Sequence, residues 1–299
     1  GVKVFMGAST GNMLVDAPKI LEMIFSSTSL LVATHCEDTP TIREQESLAS
    51  EKWGEDIPMR EHPNIRCEEA CYLSSSLAVD LAKKHGTKLH VLHLTTAREM
   101  ELFEAGPIEE KKITAEACVH HLFFSDNDYE ERGTFIKCNP AIKSKQDRDA
   151  IVQAVNEDRI DVIATDHAPH TLEEKRNKYL RAPSGMPLAQ DSLVSLFDKV
   201  NSGIFAVEKV VEKTSHAPAK LYEVSERGFL REGYYADLVL ISPSNEKSDR
   251  EIFSKCGWSP FFGHHFANEI SATWVNGHLR YENGKMLSGP CGKAMEYKR

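Results

Sequence analysis

The chain alternates short apolar segments with amphipathic helical stretches, and this alternation limits its fold more than any other feature. Strands are expected over four apolar segments, residues 30–34, 89–94, 112–119 and 161–165. Helices are expected over six amphipathic stretches, residues 41–53, 67–85, 97–105, 144–159, 187–201 and 207–222. Strands and helices that alternate in this way are typical of βαβ units. The sequence therefore predicts an α/β fold built on a parallel sheet.

The pattern changes after Gly228. Two further strand-like segments, residues 236–241 and 271–275, are joined by loops rich in Gly, Asn and Pro instead of helices. We therefore predict an α/β domain over residues 1–228 and a C-terminal segment, residues 229–299, that contributes to a small, β-sandwich-like domain.

Composition excludes several classes of partner. The formal net charge is -9, so nothing in the sequence calls for a nucleic-acid or anionic-membrane surface. The seven cysteines are odd in number and form no Cys-x-x-Cys pair, which favours a reduced, cytoplasmic protein over a disulfide framework. No apolar run is long enough to cross a membrane. A small anionic substrate stays compatible with this balance, because its binding needs only local charge.

Three of the predicted strands run into a side chain that can bind a metal. These side chains are His35, His93 and Asp166. In a parallel α/β barrel the C-terminal ends of the strands form one rim, where the active site is built. Two imidazoles and a carboxylate suit Zn²⁺ or a similar borderline metal. The pattern therefore predicts a metal site at this rim, although a single strand-end histidine is more often only a partner of a backbone group.

Lys3 lies inside the apolar segment that opens the chain, residues 1–7. A lysine in such a strand is unfavourable unless it is paired or neutralised. One interpretation is that its amine reaches the rim, or is exposed because strands are missing beside it. The other is that the amine carries CO₂ as a carbamate, an anion that can bridge two metal ions.

Four motifs together resemble the dihydroorotases of the amidohydrolase superfamily. They are Gly-Val-Lys3-Val-Phe-Met-Gly, Ala-Thr-His35-Cys-Glu-Asp, Val-Leu-His93-Leu-Thr-Thr and Ala-Thr-Asp166-His-Ala-Pro-His170-Thr. Hydantoinases and dihydropyrimidinases share the first three. The resemblance is strong up to about Tyr222 and looser in the tail.

The resemblance implies a (β/α)8 TIM-type barrel with a binuclear Zn²⁺ centre. Lys3 matches the carboxylated lysine that bridges the metals, and His35 and His93 match the histidines on one metal. Asp166 matches the carboxylate that binds the other metal. It would also take a proton from the nucleophile and pass it to the leaving ring nitrogen.

The resemblance also implies a set of substrate contacts. His170 matches a histidine that contacts the substrate carboxylate; alternatively, it orients Asp166. Asn139 resembles an asparagine that touches the pyrimidine ring, although Ala141 stands where a second proline is expected. Residues 182–187, which begin with Ala182, resemble the loop over that ring. The expected substrate is thus an anionic dihydropyrimidine, and the enzyme is expected to form homo-oligomers.

One departure from the family concerns the start of the chain. Dihydroorotases carry a His-x-His motif on the first barrel strand, followed by an Arg that also binds the substrate carboxylate. No His-x-His stands at the start of this sequence. We therefore expect barrel strands one to three, with their ligands, to precede Gly1.

Other functions remain open at this point. A hydantoinase, dihydropyrimidinase or allantoinase would share the metal site but not the carboxylate pocket. A non-catalytic, dihydroorotase-like scaffold is disfavoured because the ligand positions are retained. His120 and His121 are expected to be structural more often than functional, and residues 171–181 are expected to form a surface loop or a lid.

Overall fold

The computed structural model describes residues 1–7, 13–244 and 251–298. The chain forms two compact units. The first comprises residues 1–189 and 254–260, and the second comprises residues 190–253 and 261–299. The predicted division at Gly228 falls inside the second unit, and it stays a prediction.

The strands of the described residues are β1 (Val2–Phe5), β2 (Val32–His35), β3 (Leu89–Val91), β4 (Ile113–Cys118), β5 (Val162–Ala164), β6 (Leu238–Pro243), β7 (Asn268–Val275), β8 (His278–Glu282) and β9 (Lys285–Met286). The α-helices of these residues are α1 (Pro18–Ser27), α2 (Thr39–Trp53), α3 (His62–Ile65), α4 (Glu68–His85), α5 (Val119–Phe123), α6 (Tyr129–Arg132), α7 (Lys145–Asn156), α8 (Leu172–Lys175), α9 (Ser192–Asn201), α10 (Val207–Val211) and α11 (Ala217–Leu221). None of them is long and apolar enough to cross a membrane.

The first unit is built on a five-stranded sheet in the order β1-β2-β3-β4-β5. All neighbouring strands are parallel, so the predicted parallel sheet is confirmed. Spatial order follows chain order without a reversal, unlike the doubly wound folds. Val32, Leu89 and Ala115 lie in the three central strands and are fully buried. Because all strands run the same way, their C-terminal ends share one edge, which we call the rim.

Helix α4 shows how local sequence fixes an element of this unit. Glu68 and Glu69 occupy its first turn, and three basic residues occupy its last. Charges of these signs interact favourably with the helix dipole at both ends. The helix ends at Gly86, whose left-handed conformation (φ 68°) lets its N–H bond the carbonyl of Ala82. The predicted helix over residues 67–85 is therefore confirmed to within one residue.

One predicted helix is wrong. Residues 97–105 contain only a short 3-10 turn, Arg98–Leu102. The carboxylate of Glu99, which is 2% exposed, accepts hydrogen bonds from the backbone N–H groups of Thr95 and Thr96. The N–H of Glu99 donates in return to the hydroxyl of Thr96, which is the reciprocal pattern of a capping box and begins the turn. The turn stops at Phe103, which is buried and has extended dihedral angles (φ -115°, ψ 136°).

The second unit combines helices α9 to α11 with the antiparallel sheet β6-β7-β8-β9. A π-helical turn, Glu212–His216, joins α10 to α11. The hairpin between β7 and β8 turns at Asn276 and Gly277, both with positive φ, as a tight hairpin requires. Both strands predicted in the tail are present. Within the part of the tail that the structure describes they belong to one sheet, and the sandwich-like arrangement stays a prediction.

Candidate active site at the rim of the parallel sheet

Two histidines meet at the rim. His35 is the last residue of β2, and His93 follows β3 by two residues. The Nδ1 atom of His35 lies 3.0 Å from the Nε2 atom of His93. The two rings are nearly perpendicular, and the residues are only 5% and 4% exposed. The structure thus brings together two predicted ligands that are far apart in sequence.

A buried carboxylate holds one of these rings. Glu37 is fully buried, and its Oε2 atom lies 3.1 Å from Nε2 of His35 and pairs also with Arg66. Burial acts to raise the pKa of Glu37, but the charge of Arg66 and the hydrogen bond from His35 outweigh it, so the pKa is about 2. With its proton on Nε2, toward this carboxylate, His35 has an Nδ1 lone pair that faces His93. This is the usual support of a metal-binding histidine.

His93 is held in its neutral form. Burial and the nearby charge of His35 lower its pKa to about 4. Its backbone N–H donates to the carboxylate of Glu116 at 3.3 Å, and its buried Nδ1 has no hydrogen-bond partner among the described residues. Two buried imidazoles whose nitrogens converge are a donor set that Zn²⁺ takes. The pair therefore fits one ion.

Asp166 lies at the same rim. It follows β5 by two residues and is exposed, and its charge acts on the pKa of His93. Asp166 and His93 both have positive φ angles, 49° and 39°. Non-glycine residues with positive φ are uncommon and often lie at functional sites. At both residues the positive φ occurs where the chain turns just after its strand, β3 or β5.

Lys3 lies on the strand next to His35. In the register of β1 and β2, Lys3 is opposite Ala33, and Phe5 is opposite His35. Lys3 is exposed, and its Nζ atom lies 4.7 Å from the centroid of the Phe5 ring. That ring is in turn 6.1 Å from the ring of His35. Its role as a bridging carbamate stays a prediction.

One predicted substrate residue, His170, lies against the loop of residues 182–187. Gly185 has a φ of 143°, and a Cβ atom there would lie 3.0 Å from Nε2 of His170. The same Cβ would lie only 2.5 Å from the backbone oxygen of Ala168, so only glycine allows this approach of the loop. The carbonyl of His170 accepts a 2.7 Å hydrogen bond from Trp258. Asn139 is half-buried, and its Oδ1 has no hydrogen-bond partner among the described residues.

Two buried lysines that sequence reasoning missed support this loop. Lys175 is fully buried, and its Nζ atom donates to the carbonyls of Lys137, Pro183 and Gly185. Lys137 donates to the carbonyl of Ala182 at 2.7 Å. Ala182 is itself buried, so it positions the loop through its backbone.

These lysines also correct the expectation for residues 171–181. Part of that segment is helix α8, which begins with a capping box between Thr171 and Glu174. Its last residue, Lys175, points inward, so the segment is anchored and not simply a charged surface loop. Burial lowers the pKa of Lys175 to about 7 and that of Lys137 to about 8. A basic composition carries no sign of such burial, because most lysines are exposed.

His167 lies next to Asp166, but its ring accepts hydrogen bonds from backbone N–H groups. Its Nδ1 atom accepts hydrogen bonds from the N–H groups of Leu188 and Ala189, both at 3.0 Å. Glu37 was missed, although its spacing of two from His35 places it on the same face of the extended chain.

Comparison with known families and proteins gives a consistent result. The model of the Amidohydrolase family matches residues 19–280. A dihydroorotase of Halobacterium salinarum is 32% identical over 266 residues, which are 88% of this chain and 60% of the relative. A dihydroorotase of Clostridioides difficile is 35% identical over 67% of this chain and 48% of its own length. The chain thus spans about half to three-fifths of these relatives.

Solved structures share the fold. The L-hydantoinase (dihydropyrimidinase) of Arthrobacter aurescens superposes with a TM-score of 0.86 at 23% identity, covering 96% of this chain and 65% of that protein. A D-hydantoinase from Thermus sp. gives a TM-score of 0.84 at 20% identity, with 96% and 65% covered. At this level of identity the likeness concerns the fold alone.

Proposed function

Because the chain belongs to the amidohydrolase family, we propose that it is part of a zinc-dependent dihydroorotase. This enzyme hydrolyses the cyclic amide of (S)-dihydroorotate to N-carbamoyl-L-aspartate, a reversible step of pyrimidine biosynthesis. The observation that carries the proposal is the pair of converging, buried histidines, His35 and His93, in a chain 32% identical to a dihydroorotase. A non-catalytic scaffold would have no need to keep this pair.

We propose that the five-stranded sheet is an arc of a (β/α)8 barrel. Its strands follow one another in chain order, and the candidate ligands lie at the C-terminal ends of the strands, as in barrel enzymes. The high similarity of fold to the hydantoinases supports this arrangement. We further propose that the protein is a homo-oligomer, as the resemblance implies.

Four side chains would hold the zinc centre. His35 and His93 would bind one ion, Asp166 would bind a second, and Lys3, as a carbamate, would bridge them. The bound zinc supplies Lewis acidity and a nucleophile active at neutral pH. The exposure of Lys3 and Asp166 leaves both side chains accessible to CO₂, ions and substrate.

The residues of this chain would divide the remaining work. Asp166 would take a proton from the nucleophile and pass it to the leaving ring nitrogen, a general base that becomes a general acid. His170 would contact the ring carboxylate, and the unpartnered amide oxygen of Asn139 would accept a hydrogen bond from the ring. The loop of residues 182–187 would pack over the ring and exclude water.

A hydantoinase or dihydropyrimidinase is the second candidate, because the superposed structures carry those names. Substrates of these enzymes lack the ring carboxylate. The test compares dihydroorotate, dihydrouracil and hydantoin at equal concentration, in the protein and in His170→Gln. We expect hydrolysis of dihydroorotate alone, with a raised KM in the variant. Preferred hydrolysis of either uncharged ring, unchanged in the variant, would replace the proposal with the second candidate.

A further inference from the structure

A second group of metal-binding side chains lies at the end of β4. Cys118 is the last residue of that strand, and His120 and His121 are in α5, which follows it directly. One ligand atom from each lies within 4.8 Å of the others. The three residues are at most 3% exposed. None of them belongs to the proposed zinc centre of the rim.

The histidines of this group are short of partners. Neither ring nitrogen of His120 has a hydrogen-bond partner among the described residues, and the same holds for Nδ1 of His121. The two rings lie close, with centroids 3.9 Å apart. Buried polar atoms are nearly always paired in folded proteins, and an exception calls for an explanation such as an ion.

The tautomer of His121 determines which of its ring nitrogens can bind a metal. Its Nε2 atom lies 3.2 Å from the carbonyl oxygen of Pro140 and must carry the proton to donate to it. The proton on Nε2 leaves Nδ1 with a lone pair, which is the state in which imidazole binds a metal. Burial holds both rings neutral: it lowers the pKa of His120 to about 4 and that of His121 well below its usual value.

We propose that Cys118, His120 and His121 bind one thiophilic divalent cation, with Zn²⁺ as the preferred ion. One thiolate and two imidazoles are a borderline-soft set that zinc favours, and a fourth position stays open for a solvent molecule. In a tetrahedral site, ligand atoms about 2.0–2.3 Å from the metal are roughly 3.5 Å apart, so the side chains need only small rotations to close on the ion.

Binding must release one proton. Burial, with the nearby carboxylate of Glu116, raises the pKa of the Cys118 thiol well above its usual value, so the thiol is protonated without metal. The cation takes the place of that proton, which goes to solvent, while the two neutral imidazoles lose none. Affinity should therefore rise with pH by about tenfold per unit while the thiol is protonated. The charge of Asp166, which acts on His120, favours the cation further.

Cobalt tests the proposal because a thiolate bound to Co²⁺ gives a charge-transfer absorption band, whereas histidine and carboxylate ligands alone do not. Co²⁺ is titrated into the protein, into Cys118→Ser and into Cys71→Ser, another fully buried cysteine. His93→Gln removes the histidine pair of the rim. We expect the band in the protein, in Cys71→Ser and in His93→Gln, and its loss in Cys118→Ser. His120→Gln should weaken cobalt binding at this site at least tenfold.

A band that persists in Cys118→Ser, or no band in the protein itself, would overturn the proposal. Loss of the band in Cys138→Ser instead would also do so; that thiol already donates to the carbonyl of Pro140. If Cys118→Ser does not fold, X-ray absorption of zinc-loaded His93→Gln decides. One sulfur neighbour at about 2.3 Å supports the site, and only nitrogen or oxygen neighbours contradict it. No readout is an activity, so the result is independent of the proposed function.

Discussion

The histidine pair at the rim and the loop of residues 182–187 both involve buried polar groups. They differ in how completely those groups are hydrogen-bonded. His35 and His93 bring two ring nitrogens to within 3.0 Å of each other and leave Nδ1 of His93 without a hydrogen-bond partner among the described residues. Lys175 instead donates to three backbone carbonyls. An incompletely paired polar site is poised for a ligand, whereas a fully paired one rigidifies the chain. We therefore expect that activity and stability can be lowered separately, the first by a substitution in the histidine pair and the second by a substitution of Lys175.

The largest expected effect is on activity. In His93→Gln we expect dihydroorotate hydrolysis to fall at least about 10³-fold, because several kcal/mol of transition-state stabilisation by the metal is lost. For the metal-free proteins, the unfolding free energy in urea should change by no more than about 1 kcal/mol, since the lost ring was incompletely paired. His167→Gln is the control for a rim histidine that bonds only backbone. Equal loss of activity in both variants would break the comparison.

The next effect is on stability. Lys175→Met keeps much of the side-chain volume but removes the ammonium donor of three backbone carbonyls, of which only that of Lys137 also accepts from the N–H of Gly185. We expect the unfolding free energy to fall by about 3 kcal/mol, measured by urea denaturation. Lys178→Met removes an exposed lysine paired with Asp56 and should cost less than about 1 kcal/mol. A similar cost for both would show that Lys175 does not anchor the loop.

A smaller effect is expected for the carboxylate that supports His35. In Glu37→Gln the ring keeps a hydrogen-bond partner but loses the charge that orients it. We expect zinc affinity to fall about 10–100-fold, measured by competition with a chromogenic chelator. Glu99→Gln, a second buried glutamate, is the control. Unchanged zinc affinity in Glu37→Gln would mean that the charge of Glu37 does not support His35 and that its role is the ion pair with Arg66.

The smallest effect, taken per pH unit, is a dependence of stability on pH. Burial lowers the pKa of folded Lys175 to about 7, below the value of about 10.4 in an unfolded chain. Between these values the unfolded state binds more protons, so this lysine makes stability rise with pH. The difference in unfolding free energy between the protein and Lys175→Met should therefore grow between about pH 7 and 10, by at most about 1.4 kcal/mol per unit. A difference that is constant with pH would contradict the lowered pKa.

The strand ends could be predicted because strand periodicity is local. Apolar runs followed by His35, His93 and Asp166 identified the rim, and parallel pairing brought those residues to one edge. Lys175 could not be predicted, because its burial depends on carbonyls from two other segments and its neighbours in sequence are charged. The turn at residues 98–102 was misassigned because the helical pattern stops at Phe103, which is extended and buried in the folded chain. His120 and His121 were predicted to be structural. Their ring nitrogens that lack a hydrogen-bond partner among the described residues can be recognised only in the folded chain.

The most direct test of the account measures zinc content together with dihydroorotate hydrolysis, in the protein and in Asp166→Ala. Asp166 is exposed, so its removal should leave the packing intact. The account predicts a protein that contains zinc, hydrolyses dihydroorotate and loses that activity on chelation. It further predicts that Asp166→Ala folds normally but is inactive. Hydrolysis that persists in Asp166→Ala or after zinc removal, or a zinc-loaded protein that does not hydrolyse dihydroorotate, would contradict it.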